Sequence, residues 1–426
     1  MSKPPRTPWT PSRRKRLIVL ALVAATLAWL CGVAVAVVAT RHAPDKSALD
    51  TELKGVEEPK QAVQPVAPTT PEPPKPAAQV EGPCWPVYGR TAARTSDAAD
   101  LVHVIPRRKL WQVRIGIMEF PPAYCDGVLY VNSQRGFTWA MQAADHKVLW
   151  KRKTAELYDS TPAVSGDRVF VGTFTPGGVK ALDRRTGRVL WQLRTGGPVE
   201  ASPVVVNGLV YVTSKDRRVY AVSEKTGRVA WAFRTGGEVK DSPSVVGGRV
   251  YVGNYAAEVF SLDARTGAVK WRIGVGGVLG DRIYSSIPVA GRSAFFVTVR
   301  GNVYAVDTRN GRTRWQQSIP GYVYSTPAIS GGRLYIGNYQ GEVYAFDVRT
   351  GRRVWKRTVG GTISGSPTVI GDVIYVSSLS RRRSWGLNAR TGRIVWEYPD
   401  GRYVTGIATD KAFYLSLGPN LSRWTG

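Results

Sequence analysis

The sequence predicts an all-β protein, an eight-bladed β-propeller of four-stranded blades preceded by one transmembrane helix and a Pro-rich linker. Three landmarks recur about every 40 residues: a tryptophan, a turn of the form Asp-x-x-Thr-Gly before it, and a proline that usually follows Ser or Thr. Units of about 40 to 45 residues with four short strands, repeated radially, are typical of propellers. The tryptophans are Trp111, Trp150, Trp191, Trp231, Trp271, Trp315, Trp355 and Trp396, with gaps of 39, 41, 40, 40, 44, 40 and 41 residues.

The N-terminus has the pattern of a membrane anchor. Residues 1–16 contain six Lys or Arg and no acid, and residues 17–39 contain no charged residue. We expect residues 1–16 to be a basic cytoplasmic tail and residues 17–40 a transmembrane helix, because about 20 apolar residues span a bilayer and cations stay inside. The chain would then be a single-pass protein of the cell membrane with its C-terminal domain outside the cytoplasm. A cleaved signal peptide ending near Ala34-Val35-Ala36 is the alternative.

Residues 41–82 have the composition of a linker. They contain no aromatic residue, and seven prolines crowd the second half. Proline restricts φ and removes backbone donors, so this stretch should hold the following domain away from the membrane. The propeller is expected over residues 83–426.

One unit illustrates the four expected strands. Ser202-Pro203 begins the first strand, and the Asn207-Gly208 turn leads to the second. A third strand starts near Arg218, and the turn at Lys225-Thr226-Gly227 opens the fourth, which carries Trp231. Gly in these turns accommodates positive φ. Asp145-His146 replaces Thr-Gly in the first unit, so an irregular turn is expected there.

The ends of the chain determine the number of blades. The last unit has Thr405-Gly406 in place of Ser-Pro and ends without the Asp-x-x-Thr-Gly turn. Residues 109–115 precede the first proline and carry Trp111 in the correct phase. This segment can supply the missing fourth strand and close the ring, which removes sheet edges. Eight blades follow, with seven as the alternative if the last unit is only a cap.

The repeat resembles that of the pyrroloquinoline-quinone-type propellers. The pattern Ala-x-Asp-x-x-Thr-Gly-x-x-x-Trp occurs from Ala181 to Trp191 and, with Asn310 for Thr, from Ala305 to Trp315. That superfamily includes quinoprotein alcohol dehydrogenases and the non-enzymatic propeller lipoprotein of the outer-membrane β-barrel assembly machinery. The resemblance covers about residues 109–424, and it is closer to the assembly-machinery lipoprotein than to the dehydrogenases. It implies that the eight tryptophans dock neighbouring blades.

The resemblance does not by itself imply a cofactor, because fold does not determine function. The dehydrogenases have large insertions, a calcium site and, in many members, adjacent cysteines beside the quinone. This chain has short loops, its cysteines are not adjacent, and its candidate acids Asp159, Glu200, Asp241 and Asp281 are spread over four units. With three Cys and three His, a structural zinc cluster is not indicated. We therefore expect no catalytic residue, no cofactor and no metal, with a quinone-dependent dehydrogenase domain as the alternative.

The loops before the prolines are the candidate partner site. They should surround one mouth of the central channel, and the four extra residues between Trp271 and Trp315 fall in this set. Tyr and Arg are enriched where proteins bind other proteins. The sequence favours an envelope protein partner over a small ligand. A solvated channel mouth that binds no ligand is the alternative. The residues are Tyr158, Asp159, Glu200, Lys240, Asp241, Asp281, Arg282, Tyr284, Tyr322, Tyr324 and Tyr403.

The opposite mouth should be basic. The chain has a formal net charge of +28, and turns such as Arg184–Arg188 and Arg349–Arg353 place cations at one end of each blade. Such a surface is suited to anionic lipid headgroups or cell-wall polymer, and a solvated, Arg-rich surface with no specific partner is the alternative. Nucleic acid is not expected, since the domain is predicted outside the cytoplasm.

Two cysteines, Cys84 and Cys125, follow the membrane segment. An oxidising compartment permits a disulfide between them, which would hold the start of the domain against the first blade. Two free thiols are the alternative. Cys31 lies inside the predicted membrane helix.

Overall fold

A computed structural model describes residues 84–101, 105–157, 160–276, 281–403, 406–409 and 411–426. These residues form eight β-sheets, one per blade, which confirms the eight-bladed, four-stranded propeller. The predicted basic tail, transmembrane helix and linker lie outside the described residues. Within the described part of the chain, no helix has the length and apolar character needed to cross a membrane.

Two strands precede the first blade, and blades 1 to 4 follow in chain order. The first two are β1 (Asp97–Ala98) and β2 (Arg108–Arg114). Blades 1 and 2 are β3 (Ala123–Cys125), β4 (Val128–Ser133), β5 (Phe137–Gln142), β6 (Val148–Lys153), β7 (Ala163–Ser165), β8 (Arg168–Thr173), β9 (Gly178–Asp183) and β10 (Val189–Arg194). Blades 3 and 4 are β11 (Val204–Val206), β12 (Leu209–Ser214), β13 (Arg218–Ser223), β14 (Val229–Arg234), β15 (Ser244–Val246), β16 (Arg249–Gly253), β17 (Glu258–Asp263) and β18 (Val269–Gly274).

Blades 5 to 8 complete the ring. Blades 5 and 6 are β19 (Val289–Ala290), β20 (Ser293–Val297), β21 (Asn302–Asp307), β22 (Thr313–Ser318), β23 (Ala328–Ser330), β24 (Arg333–Gly337), β25 (Glu342–Asp347) and β26 (Arg353–Thr358). Blades 7 and 8 are β27 (Thr368–Ile370), β28 (Val373–Ser378), β29 (Arg383–Asn388), β30 (Ile394–Tyr398), β31 (Ile407–Ala408), β32 (Phe413–Leu417) and β33 (Asn420–Thr425).

The predicted closure of the ring is present in the eighth blade. Strand β2 pairs antiparallel with β33 and becomes the outermost strand of that sheet, with Trp111 opposite Arg423. The Trp111 indole N–H donates to the Ala144 carbonyl of blade 1 at 3.0 Å. Both ends of the domain therefore contribute strands to blade 8, and this shared sheet closes the ring.

The propeller has two faces, which we name by what they carry. The cavity face carries the loops that lead from the outermost strand of one blade to the innermost strand of the next. The turn face carries the tight turns between the first and second strands and between the third and fourth strands of each blade. The alternation follows from four antiparallel strands per blade.

A single tryptophan contact is repeated at all eight blade interfaces. Each tryptophan of the series donates its indole N–H to a backbone carbonyl in the third-to-fourth-strand turn of the next blade, or to Pro106 from Trp396, at 2.7 to 3.0 Å. At six of the interfaces the glycine of that turn lies over the indole ring, and a Cβ at Gly267 would come within 2.7 Å of Trp231. The positive φ of 74° at Gly267 also favours glycine. Buried valines, alanines and aromatics fill the rest of each interface.

One local expectation is wrong. In blade 1, His146 adopts the positive φ of the missing glycine, 57°, and its N–H donates to Gln142 as in the other turns, so this turn is regular. In blade 5, the first hairpin pairs Val289 with Ala294 and Ala290 with Ser293. Phe295 then contacts Trp315 at 6.0 Å between ring centroids, and Phe296 stacks on Tyr304.

The central channel is filled by the chain itself. Residues 84–98 follow the inner strands of successive blades, and their carbonyls accept hydrogen bonds from the inner strands of blades 2, 4, 5, 6 and 7. These bonds run from Val164 to Pro86, Val245 to Ala92, Val289 to Ala93, Ile329 to Thr95 and Val369 to Ser96, at 2.8 to 3.0 Å. Strand β1 pairs parallel with β27. Residues 84–98 carry no repeat pattern that predicts this path, and we call them the channel segment.

A disulfide joins Cys84 to Cys125, with 4.5 Å between their Cα atoms. Cys125 ends β3, next to the turn at Asp126-Gly127, so the channel segment starts at the turn face. Trp85 continues from there by exchanging backbone hydrogen bonds with Tyr124 at 2.7 and 2.9 Å.

Candidate functional site

A ring of hydroxyl groups surrounds the channel at the cavity face. Five hydroxyls close to the landmark prolines each accept the backbone N–H of the equivalent residue in the preceding blade, at 2.8 to 3.2 Å: Ser202, Ser242, Ser286, Thr326 and Ser366. The sixth, Thr161, donates its hydroxyl to the Pro121 carbonyl at 2.9 Å. This hydroxyl ring consists of Thr161, Ser202, Ser242, Ser286, Thr326 and Ser366. Buried N–H groups need partners, which explains why the Ser/Thr-Pro landmark repeats. The ring is interrupted where Pro121 has no N–H and Gly406 has no hydroxyl.

A cavity of about 140 Å³ opens inside the hydroxyl ring at the cavity face. The channel segment forms part of its lining through Tyr88, whose hydroxyl is 2.6 Å from Ser366 Oγ. The loops contribute charged and aromatic residues to its wall. Of the sequence-predicted site residues, Lys240, Asp241, Tyr284, Tyr324 and Tyr403 line it.

Arg94 of the channel segment is fully buried below this site. Its guanidinium donates to the carbonyls of Pro243, Tyr88 and Ser202 at 3.1, 2.6 and 2.7 Å, respectively. Burial lowers the pKa of Arg94 to about 9, against the opposing influence of Tyr88 and Asp241. Blade 3, blade 4 and the channel segment therefore meet at one side chain, because a guanidinium can serve several acceptors at once.

Asp241 is the most perturbed acid at the site. It is 2% exposed, and its Oδ2 accepts the Gly253 N–H at 2.9 Å while Oδ1 has no hydrogen-bond partner. Burial raises the pKa of Asp241 to about 8, although the Gly253 N–H and the charge of Arg94 act in the opposite direction. A buried carboxyl beside a cavity with a spare oxygen is a typical feature of binding sites.

Glu200 links the loops of blades 3 and 4 electrostatically. Its carboxylate, which is 4% exposed, is 2.9 Å from Lys215 Nζ and also pairs with Lys240. Burial alone would raise the pKa of Glu200, but the two ammonium groups outweigh it and lower the pKa. The Lys240 ammonium also lies 4.4 Å from the Tyr284 ring centroid. Lys240 is thereby fixed at the edge of the cavity.

A row of tyrosines crosses blades 4 to 6 beside the cavity. Tyr255 stacks on Tyr284 at 6.1 Å, Tyr284 meets Tyr324 edge-on at 5.0 Å, and Tyr324 contacts Tyr339 at 4.7 Å. Arg282 covers the Tyr255 ring at 5.2 Å. Tyr322 stands next to this row with 58% of its surface exposed, whereas the row itself is half-buried. We call Tyr255, Tyr284, Tyr324 and Tyr339 the tyrosine row.

The remaining predicted site residues have separate positions. Asp281 accepts backbone N–H groups from Arg282 and Arg300 at 2.9 and 3.2 Å, so it stabilises its own loop. Tyr158 and Asp159 lie outside the described residues. The site therefore comes from the loops that lead into blade 1 and into blades 3 to 8, and from the channel segment.

Sequence reasoning missed four residues of this site. Tyr88 and Arg94 belong to the channel segment, which has no repeat pattern and received no structural assignment. Tyr255 and Tyr339 had a usable signal, because each follows Gly-Asn at the same place in its unit, residues 253–255 and 337–339. A repeated tyrosine in a loop between the second and third strands points to the cavity face.

The described residues do not fit the quinone and calcium of the dehydrogenase propellers. Pockets that enclose a drug-sized ligand measure about 300 to 1,000 Å³, and the channel segment leaves only about 140 Å³ here. Glu200 and Asp281 are engaged by lysines and by backbone N–H groups. Within the described residues, no group of three or more Cys, His, Asp or Glu side chains could hold a metal ion.

Comparison with known proteins places the chain in a family. Residues 101–175 and 175–398 match the family described as outer membrane protein assembly factor BamB, which is well over half of the sequence. The chain belongs to this family. The predicted resemblance, closer to the assembly-factor propellers than to the dehydrogenases, is confirmed.

Individual relatives match over shorter stretches. Outer membrane protein assembly factor BamB of Nitrosomonas eutropha is 28% identical over 132 residues, which is 30% of this chain and 32% of the relative. Quinohemoprotein alcohol dehydrogenase ADH IIB of Pseudomonas putida is 32% identical over 111 residues, 22% of this chain and 16% of the enzyme. The chain thus matches about a third or less of the length of these relatives.

Solved structures support the fold. The crystal structure of BamB from Moraxella catarrhalis superposes with a TM-score of 0.66 at 17% identity, over 75% of this chain and 99% of that one. At this identity the likeness concerns the propeller architecture alone.

Proposed function

We propose that this protein is a membrane-anchored, extracytoplasmic scaffold that binds an envelope protein through its cavity face. The anchor is the segment 17–40, with residues 1–16 in the cytoplasm and the propeller outside. The protein is proposed to act without catalysis, by presenting a rigid surface to its partner.

The cluster of charged and aromatic side chains at the cavity face carries this proposal. The loops bring Lys240, Asp241, Tyr284, Tyr324 and Tyr403 together around one cavity, although they are far apart in sequence. The tyrosine row and the exposed Tyr322 extend this surface across three blades. Partly exposed tyrosines and an arginine on a rigid support resemble the residues that anchor protein interfaces.

The family to which the chain belongs also supports a protein partner. Relatives matched over part of the chain are named outer membrane protein assembly factors, which is consistent with a protein partner. The cavity, at about 140 Å³, accommodates a single side chain better than a large cofactor. We therefore propose that one side chain of the partner enters the cavity while the tyrosine row supports the surrounding contact.

Site-specific photocrosslinking in intact cells tests this proposal. A benzophenone amino acid replaces Tyr322 at the cavity face or, as a matched control, Gln316, which is exposed on the outermost strand of the neighbouring blade. We expect a crosslinked adduct containing an envelope protein from position 322 and none from position 316. Equal adducts from both positions, or none from position 322, would contradict the proposal.

A separate measurement distinguishes the dehydrogenase alternative. We expect that pyrroloquinoline quinone with calcium leaves the melting temperature of the protein unchanged and produces no alcohol-dependent dye reduction. A rise of several degrees together with dye reduction would support the dehydrogenase and contradict a scaffold without catalysis.

A further inference from the structure

The turns between the third and fourth strands lie at one level of the turn face. In every blade the same indole N–H bond fixes the turn, or its counterpart at Pro106, relative to the preceding blade. The bond lengths vary only from 2.7 to 3.0 Å. Because the contact is the same around the ring, the turns form a level rim that can meet a flat surface along its whole circumference.

The rim is rich in exposed cations. The Asp that begins a turn accepts hydrogen bonds within it, as Asp183 does from Thr186 at 2.7 Å, so its charge is directed inward. The basic residues of the turns are exposed. They are Lys147, Arg185, Arg188, Lys225, Arg228, Arg265, Arg309, Arg312, Arg349, Arg352, Arg390 and Arg393.

Exposed apolar side chains accompany these cations. Nine large hydrophobic residues at the start of the outermost strands are between 38% and 47% exposed. They are Leu110, Val148, Leu149, Val189, Val229, Val269, Val354, Ile394 and Val395, each one or two residues before a series tryptophan. A repeated band of cations and exposed apolar residues on one edge has the character of a surface that binds a membrane interface.

The chain also enters the propeller on this side. Cys84 is bonded to Cys125, which stands beside the first turn of blade 1 on the turn face. The first described residue of the domain therefore lies at the turn face. A membrane contact through this face places that residue beside the bilayer, whereas a contact through the cavity face places it on the far side of the ring.

We propose that the turn face lies on the surface of a bilayer that contains anionic lipids. The arginines and lysines contact lipid phosphates, whose negative charge attracts basic residues close to the surface. The apolar rim residues enter the interfacial region, which a polysaccharide or another soluble polyanion does not offer. This orientation directs the cavity face away from the membrane, and it goes beyond the proposed function because it concerns the opposite surface.

Two labels on one strand test the orientation. The full chain carries Cys31→Ser, and a single new cysteine is labelled with an environment-sensitive fluorophore. Val229→Cys lies at the turn-face end of β14, and Arg234→Cys lies at its cavity-face end. Each protein is incorporated into vesicles of phosphatidylcholine, with or without phosphatidylglycerol. We expect a blue shift and quenching by headgroup-attached nitroxide at position 229 only with phosphatidylglycerol, and neither effect at position 234.

Charge variants complete the test. Arg188→Glu, Arg228→Glu and Arg352→Glu together should reduce the quenched fraction at position 229 by about tenfold, and the matched Lys variants should retain it. The melting temperature reports whether each variant folds. Equal blue shifts and quenching at positions 229 and 234 would overturn the proposal. So would quenching at position 229 that does not depend on phosphatidylglycerol. A response to soluble polyphosphate without a response to the vesicles would replace the bilayer by a polyanionic polymer.

Discussion

The blade interfaces and the cavity face of this propeller are built on opposite principles. At the interfaces, the same indole bond and the same hydrophobic packing occur blade after blade, and at six of them a glycine lies over the ring. At the cavity face, the contribution changes around the ring: Glu200 and Asp241 precede blades 3 and 4, and Tyr284, Tyr324 and Tyr403 precede blades 5, 6 and 8. The blade interfaces repeat because a closed ring requires the same angle between every pair of neighbouring blades. The cavity-face residues that differ between blades do not set this angle, so they are available to bind a partner.

The largest effect in this comparison should come from emptying one interface. Trp315→Ala removes a buried indole and its bond to Val348 at 2.8 Å, and it should lower the free energy of unfolding by about 3 to 5 kcal/mol. Trp315→Phe keeps most of the volume and should lose a smaller part. Equilibrium denaturation measures both. A cost below about 1 kcal/mol for the alanine variant would show that the repeated tryptophan does not support the ring.

The disulfide should have the next largest effect. Closing a loop across a sequence separation of 41 residues is worth roughly 4 kcal/mol in the chain-entropy model. Replacing Cys84 and Cys125 by Ser should therefore lower the melting temperature. Thiol titration of unreduced, denatured protein is expected to give one reactive thiol per chain, Cys31. Three thiols would contradict the disulfide.

Breaking the hydroxyl ring should cost less. Ser202→Ala leaves the buried N–H of Thr161 without its acceptor, which costs about 1 to 3 kcal/mol. Ser318→Ala, at an exposed position, is the matched control and should stay within about 0.5 kcal/mol of the parent. Equal denaturation midpoints for both variants would mean that the ring hydroxyls are dispensable.

The pH dependence of stability should report on the protonation of Asp241. The folded-state pKa is raised to about 8 from 3.8, so the native state holds a proton that the unfolded chain releases between these values. Stability should therefore fall as pH rises from about 4 to about 8. Asp241→Asn should make the melting temperature less dependent on pH across this range. An unchanged pH profile in that variant would assign the dependence to another group.

The sequence predicts the repeated blade interfaces better than it predicts the cavity face. Blade number, the closing strand and the tryptophan series follow from a period near 40, since each repeat solves the same packing problem. Arg94 could not be predicted, since its partners are carbonyls from blades that are distant in sequence, and backbone acceptors carry no sequence signal. Lys240 and Asp241 were found as neighbours of a landmark, but their cavity depends on Tyr88 of the channel segment.

The central claim, that the irregular cavity face is the partner site, is tested most directly by adduct yield from the photocrosslinker at position 322. The triple variant Arg282→Ala, Tyr284→Ala and Tyr324→Ala changes half-buried or exposed residues outside the blade interfaces, so it should cost only about 1 kcal/mol of stability. We expect it to abolish the adduct while the protein stays folded. The variant Arg188→Glu, Arg228→Glu and Arg352→Glu should still form the adduct. An undiminished adduct in the loop variant, with loss in the turn variant, would place the partner on the turn face and contradict this account.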